Sequence, residues 1–263
     1  MDGRRHAVTS TDGTQIGLLT AGHGAPLLLV HGGMGCIESW ASLWPALTAR
    51  WQVTAMDRRG RGTSRDDGRP YDLSREFEDV AAAAASLADD GPVDVFGHSY
   101  GAVCALGAAA TGAPVRRLAL YEPPGPQTVP AEWRSRVLSM LEAGQPGRAM
   151  LSFLTEIIGL SAEEVAALRD APRAYDVMPI VSATMPRESQ ALGTVDLRAL
   201  ATGVEAAVLL VLGSASPAWA RDLTDEVAAV LAHKTLAVLD GQGHDAIDAA
   251  PELLVTELAA FFS

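Results

Sequence analysis

Cysteine is scarce in this chain of 263 residues: Cys36 and Cys104 are the only two, and they do not stand in C-x-x-C spacing. Two such thiols exclude a disulfide scaffold and a cysteine-only zinc site. They suit a reducing, cytoplasmic setting, with both side chains acting as small buried hydrophobes. Lysine is scarcer still, Lys234 standing alone beside 19 arginines. Basic residues total 20 against 32 acidic ones, a net charge of −12. That balance repels phosphate backbones and anionic lipid, so neither nucleic acid nor a membrane is an expected partner. No apolar run reaches the roughly 18 residues that span a bilayer. Arg4 and Arg5 are followed by no apolar stretch of the kind a secretion signal carries. Also missing are a G-x-G-x-x-G loop after a strand and a clustered set of metal ligands, so no cofactor and no metal are expected.

What the chain does have is a globular composition, 48% hydrophobic and 20% charged. Short apolar runs recur at "IGLLT", "PLLLVHGG", "WQVTAMD", "VDVFGHS", "RRLALYEPP", "AAVLLVLGS" and "KTLAVLDG". Helix-length stretches separate most of them, at about 39–49, 74–88, 100–111, 217–231 and 246–262. Continuous apolar strands alternating with helices predict an α/β fold, a mostly parallel sheet covered on both faces. The opening is different: two runs meet at Asp12-Gly13, which predicts an antiparallel hairpin at one edge of the sheet.

Between residues 123 and 206 the rhythm breaks. Eight of the 15 prolines fall there, no strand pattern does, and "SAEE" at Ser161 reads as a capping box with Glu164. An insertion of that length between strands is usually functional. We read 1–122 with 207–263 as the core and 123–206 as a helical cap. Met140, Met150, Met178 and Met185 would give it an adaptable apolar roof, or would simply be ordinary core.

Ser99 stands in "VDVFGHSYGAV", between an apolar strand and a helical stretch, flanked by Gly97 and Gly101. A serine on so sharp a strand-to-helix turn is a candidate nucleophile, and small neighbours are what the turn requires. His244, in the glycine-rich "DGQGH" after the last strand, is a candidate general base.

Four segments in order, "LLLVHGGMG", "DRRGRGTS", "GHSYG" and "GQGHDA", resemble the α/β-hydrolase fold family over nearly the whole chain. The resemblance implies an eight-stranded type of sheet, a serine that attacks an acyl carbon, a late histidine that takes its proton, and an acid that orients the histidine. It further implies an oxyanion site from backbone N–H groups of Tyr100 and of Gly33 or Met34. In that family the loop holding Arg58, Arg59, Arg61 and Arg65 is structural.

This sequence departs from the pattern at the acid. After "AVLLVLG", where the family most often carries it, stand Ser214, Ala215 and Ser216, none of them charged. A second family location falls on Glu122 in "LALYEPP", which keeps the order serine, acid, histidine. Glu122 would otherwise anchor the turn beside Pro123 and Pro124. Asp240 and Asp245 near His244, and Asp222 and Asp225 further into a helix, are the other carboxylates in range. The leading expectation is a hydrolase of a small, mainly apolar ester, thioester or lactone. A lyase, perhydrolase or cyclase using Ser99 and His244 for proton transfer, or a non-catalytic ligand-binding protein, are the alternatives. A dehalogenase of this fold would need an aspartate in place of Ser99.

Overall fold

A computed structural model describes residues 1–66, 70–89, 91–170 and 176–263. Its eight strands are β1 (Arg4–Thr9), β2 (Gln15–Ala21), β3 (Pro26–Val30), β4 (Gln52–Met56), β5 (Val93–His98), β6 (Val115–Tyr121), β7 (Ala207–Gly213) and β8 (Lys234–Leu239). They form one sheet in the order β1-β2-β4-β3-β5-β6-β7-β8. The expected hairpin is present, β1 pairing antiparallel with β2, and β2 antiparallel with β4; every other pairing is parallel.

Because side chains alternate across a strand, the continuous apolar runs feed two cores at once. Leu28, Val30, Val95, Leu118, Leu120 and Leu210 pack into one. Leu27, Leu29, Phe96, Ala119, Tyr121 and Val211 pack into the other. The described α-helices are α1 (Trp44–Thr48), α2 (Leu73–Ala85), α3 (Tyr100–Ala110), α4 (Ala131–Glu142), α5 (Pro146–Ser152), α6 (Ala162–Asp170), α7 (Val177–Leu192), α8 (Leu197–Thr202) and α9 (Ala218–Ala228) between strands, with α10 (Ala246–Ala249) and α11 (Pro251–Phe261) after the last. Residues of α2, α3 and α9 cover the first face, and residues of α1, α10 and α11 the second.

Two expected helices are each divided by a proline. In 39–49 a 3-10 turn at Ile37–Trp40 is followed by α1, whose first turn contains Pro45. In 246–262 the break is at Ala250, held out of helical geometry at φ −145° and ψ 56° before Pro251; the proline ring disfavours helical geometry in the residue before it. Between β6 and β7 all regular structure among the described residues is helical: α4 to α8 and a π-helical turn at Phe153–Ile157. The capping box forms there as expected, Glu164 N donating to Ser161 Oγ and Ser161 N to Glu164 Oε2. No described helix is long and apolar enough to cross a membrane.

Register decides where the loops meet. Val30 lies opposite Gly97, His98 opposite Tyr121, Tyr121 opposite Val211, and Gly213 opposite Leu239. The carboxyl ends of β3, β5, β6, β7 and β8 are therefore level, and the segments that leave them converge on one edge of the sheet, where open α/β sheets place their sites.

Candidate active site

Ser99 sits where the chain turns from β5 into α3, at φ 55° and ψ −125°. Among described non-glycine residues only Ser99 and Glu122 have positive φ. Such backbone costs on the order of 1–3 kcal/mol and persists only where its surroundings enforce it. Here Ser99 N donates to Tyr121 O at 2.8 Å, and Ala102 N donates to Ser99 O at 2.8 Å. The flanking glycines have a packing reason. A methyl group on Gly97 would lie 2.6 Å from the Gly101 carbonyl oxygen, and one on Gly101 would lie 2.1 Å from that of Val30. The turn is thus tight enough that α3 rests its backbone directly on β3 and β5.

Glu122 leaves β6 at φ 48°, the next strand end along, with its side chain fully buried. Its Oε2 lies 2.6 Å from His244 Nδ1. Its Oε1 accepts from Gly213 N at 2.7 Å and from Ser216 Oγ at 2.6 Å. The uncharged segment after β7 therefore contributes by steadying a carboxylate that arrives from the neighbouring strand. Asp240 lies elsewhere, paired with Ser214 Oγ at 3.3 Å, and Asp245 precedes α10.

The His244 loop is pinned from below. His98 Nε2–H donates to the His244 carbonyl at 3.0 Å, and Tyr121 Oη–H to that of Gly243. Burial, then the neighbouring His244, holds His98 down to about 3, which keeps it neutral. Trp219, at the start of α9, sets its ring edge-on to the imidazole at 5.4 Å between centroids, and its indole N–H donates to Ile157 O at 2.9 Å. Sequence reading missed Trp219: a lone tryptophan beyond an uncharged loop carries no pattern.

Ser99 and His244 line one cavity together with Gly33, Met34 and Tyr100. Among the described residues no hydrogen bond joins the serine and the imidazole, whose Nδ1 is held by Glu122. The rest of the wall is mainly apolar, from Pro124, Val129, Phe153, Ile157, Ile158, Leu192 and Trp219, and the cavity holds about 490 Å³ of empty space, its mouth included. Of the four methionines weighed as roof or ordinary core, Met185 lines this cavity, and Met140, Met150 and Met178 pack, partly buried, against the core.

Of the loop's four arginines, Arg58, Arg59 and Arg61 are buried and Arg65 is exposed. Arg58 donates to both oxygens of Glu76, at 3.0 and 2.7 Å, to Glu188 Oε1 at 2.7 Å and to Gly32 O at 3.3 Å. Arg61 donates to Gly33 O at 2.6 Å, to Gly35 O at 3.3 Å and to Glu188 Oε1. Arg59 grips Asp79 through two bonds of 2.7 Å. Arg58 and Arg61 thus hold the carbonyls of the 32–35 loop, which orients the peptide planes of the candidate oxyanion site, and tie that loop to α7.

Cys36, Glu38 and Asp57 bring their ligand atoms within 4.8 Å of one another. Asp57 is already occupied by Ile37 N, Thr63 N and Thr63 Oγ1, and burial pushes the Cys36 thiol up, away from the thiolate a metal needs. The trio holds the loop together.

Comparison with known proteins agrees with this fold. A structure of an alpha/beta hydrolase from Sphaerobacter thermophilus superposes with a TM-score of 0.84 at 34% identity, covering 98% of this chain and 100% of that one. A hydrolase from Pseudomonas aeruginosa does so at 0.82 and 23% identity over the full length of both, a likeness of fold. A 2-hydroxy-6-oxo-6-(2'-aminophenyl)hexa-2,4-dienoic acid hydrolase of Metapseudomonas resinovorans is 32% identical over 36% of this chain and 34% of its own. An N-formylmaleamate deformylase of Pseudomonas putida is 33% identical over 50% of this chain and 52% of its own. The matches thus span a third to a half of these relatives. The sequence model of the alpha/beta hydrolase family matches residues 27–257. The chain belongs to the alpha/beta hydrolase family.

Proposed function

We propose that this protein is a serine hydrolase that cleaves a small, mainly apolar ester, thioester or lactone through an acyl-enzyme on Ser99, with 123–206 serving as the cap over the substrate. Ser99 Oγ attacks the acyl carbon while His244 takes its proton. Glu122 holds the imidazole by Nδ1–H and stabilises the imidazolium as it forms. The N–H groups of Tyr100 and of Gly33 or Met34 receive the oxyanion. His244 returns the proton to the leaving group, then activates the water that frees the acid and restores the serine. These steps draw on the chain's own groups and water.

The observation that carries the reading is the 2.6 Å contact between Glu122 and His244, in a cavity shared with a serine on a strained turn. Membership of the family, and relatives that are themselves hydrolases, support hydrolysis. The apolar wall supports a mainly apolar substrate. The test is covalent labelling by a fluorophosphonate with peptide mapping. Rapid single-site labelling at Ser99 is expected, lost in Ser99→Ala and slowed sharply in Glu122→Gln. A folded protein that binds a ligand of similar size yet resists labelling would instead point to proton-transfer chemistry without an acyl-enzyme.

A further inference from the structure

Glu188 has a second oxygen that the structural network does not use. Four charges are packed behind the cavity, Arg58 and Arg61 against Glu76 and Glu188; the side chains of the first three are 0% exposed, and that of Glu188 keeps 5%. Glu188 lines the cavity, so it is the only member of the quartet that a bound molecule meets. Both arginines donate to its Oε1. No described residue donates to Oε2. That oxygen borders the 32–35 loop: a methyl group on Gly33 would lie 3.5 Å from it.

We propose that Glu188 Oε2 is a specificity determinant, accepting a hydrogen bond from a neutral donor, a hydroxyl or amide N–H, carried two or three atoms from the scissile carbonyl of an otherwise apolar acyl group. The placement follows from proximity to Gly33, and for this it rests on the serine-hydrolase reading. The choice of a neutral donor follows from charge: two guanidinium groups already balance two carboxylates, so an ammonium would be left in excess behind an apolar wall. A carboxylate on the acyl group would face an oxygen that cannot donate to it, so such substrates are disfavoured.

The test separates binding from turnover. In Ser99→Ala, calorimetry would compare benzyl 3-hydroxybutyrate, benzyl 3-methoxybutyrate and monobenzyl succinate. The hydroxy ester should bind about tenfold tighter than the methoxy ester, the size of one hydrogen bond to a charged group, with the succinate weaker still. In Ser99→Ala with Glu188→Gln, the amide oxygen takes the arginine donors and its NH2 faces the cavity. The hydroxy-to-methoxy ratio should then fall below about threefold, and the succinate should gain. A ratio near one in Ser99→Ala alone overturns the assignment, as does failure of the hydroxy ester to bind; so does an unchanged ratio in the folded double variant. Should that variant not fold, the ratio in Ser99→Ala decides. Selective binding of the hydroxy ester without any turnover by wild type would sink the hydrolase reading and leave the Glu188 assignment standing.

Discussion

Glu122 Oε2 approaches His244 Nδ1 to 2.6 Å while Ser216 Oγ, 94 residues further along the chain, holds the same carboxylate by its other oxygen. A carboxylate so placed supplies both the tautomer and the charge that general-base catalysis requires. Glu122→Gln should therefore lower kcat on an activated ester by roughly 10³–10⁴-fold, with little change in the melting curve. Ser216→Ala should cost about tenfold, since the Gly213 amide remains. Steady-state kinetics on the purified variants check both. A kcat within fivefold of wild type for Glu122→Gln would move the acid elsewhere.

The contact between Gly101 and the Val30 carbonyl makes a packing prediction. A methyl group 2.1 Å from a backbone oxygen cannot be relieved by a side-chain rotation. Gly101→Ala should therefore destabilise the fold by about 3 kcal/mol or more, the upper end of overpacking costs. Thermal melts and soluble yield report it; a wild-type Tm would show that α3 stands further from β3.

Arg58 is the centre of the buried charge network, with Glu76 and Glu188 both leaning on it. Removing one partner of a buried pair leaves an uncompensated charge. Arg58→Met should cost about 3–5 kcal/mol, and adding Glu76→Leu should restore a large part of that loss. Urea denaturation of the two single variants and the double closes the cycle. A loss below about 1 kcal/mol in Arg58→Met would mean that water replaces the guanidinium.

His31 gives a pH dependence. It is 1% exposed, its Nδ1–H donates to Gly32 O at 2.9 Å, and its Nε2 accepts from Arg58 N at 3.0 Å, so it must be neutral. Burial first, then the Arg58 and Arg61 charges, hold it well below its usual 6.5. With the folded value depressed, the unfolded chain binds the extra proton, so the contribution is full above about pH 6.5 and is lost as pH falls. Between pH 6 and 5 the stability of wild type should decline, and His31→Gln should flatten that decline by up to about 1.4 kcal/mol per pH unit. Urea midpoints at half-unit steps test this. Parallel slopes in the two proteins would mean that His31 takes its proton in the folded state.

Much of the candidate site was legible in sequence because several of its groups sit on structural punctuation. Ser99 is marked by Gly97 and Gly101 and His244 by the glycine-rich turn after β8, whereas Glu122 was pointed to by the resemblance to the α/β-hydrolase family, which has a second acid location at the end of the strand that is β6 here. The sheet was legible for a similar reason: strands buried on both faces read as unbroken apolar runs. Helix limits were less so wherever a proline sits inside a helical pattern, as at Pro45 and Pro251, because the local break competes with a periodicity that continues across it.

By itself, then, the sequence determined the class of fold, the order of strands along the chain and the positions able to carry a nucleophile, a base and an acid. The fold class, the nucleophile and the base are local properties of composition, period and turn, and the acid position follows from the family resemblance. Only the tertiary structure decided which carboxylate reaches His244, what replaces the missing charge at 214–216, and which insertion residues meet the cavity. Glu122 is 122 residues from His244, and Glu188 is 130 from Arg58. Contacts over such separations follow from strand register and helix packing, which bring distant side chains together at one edge of the sheet and leave no trace in local pattern.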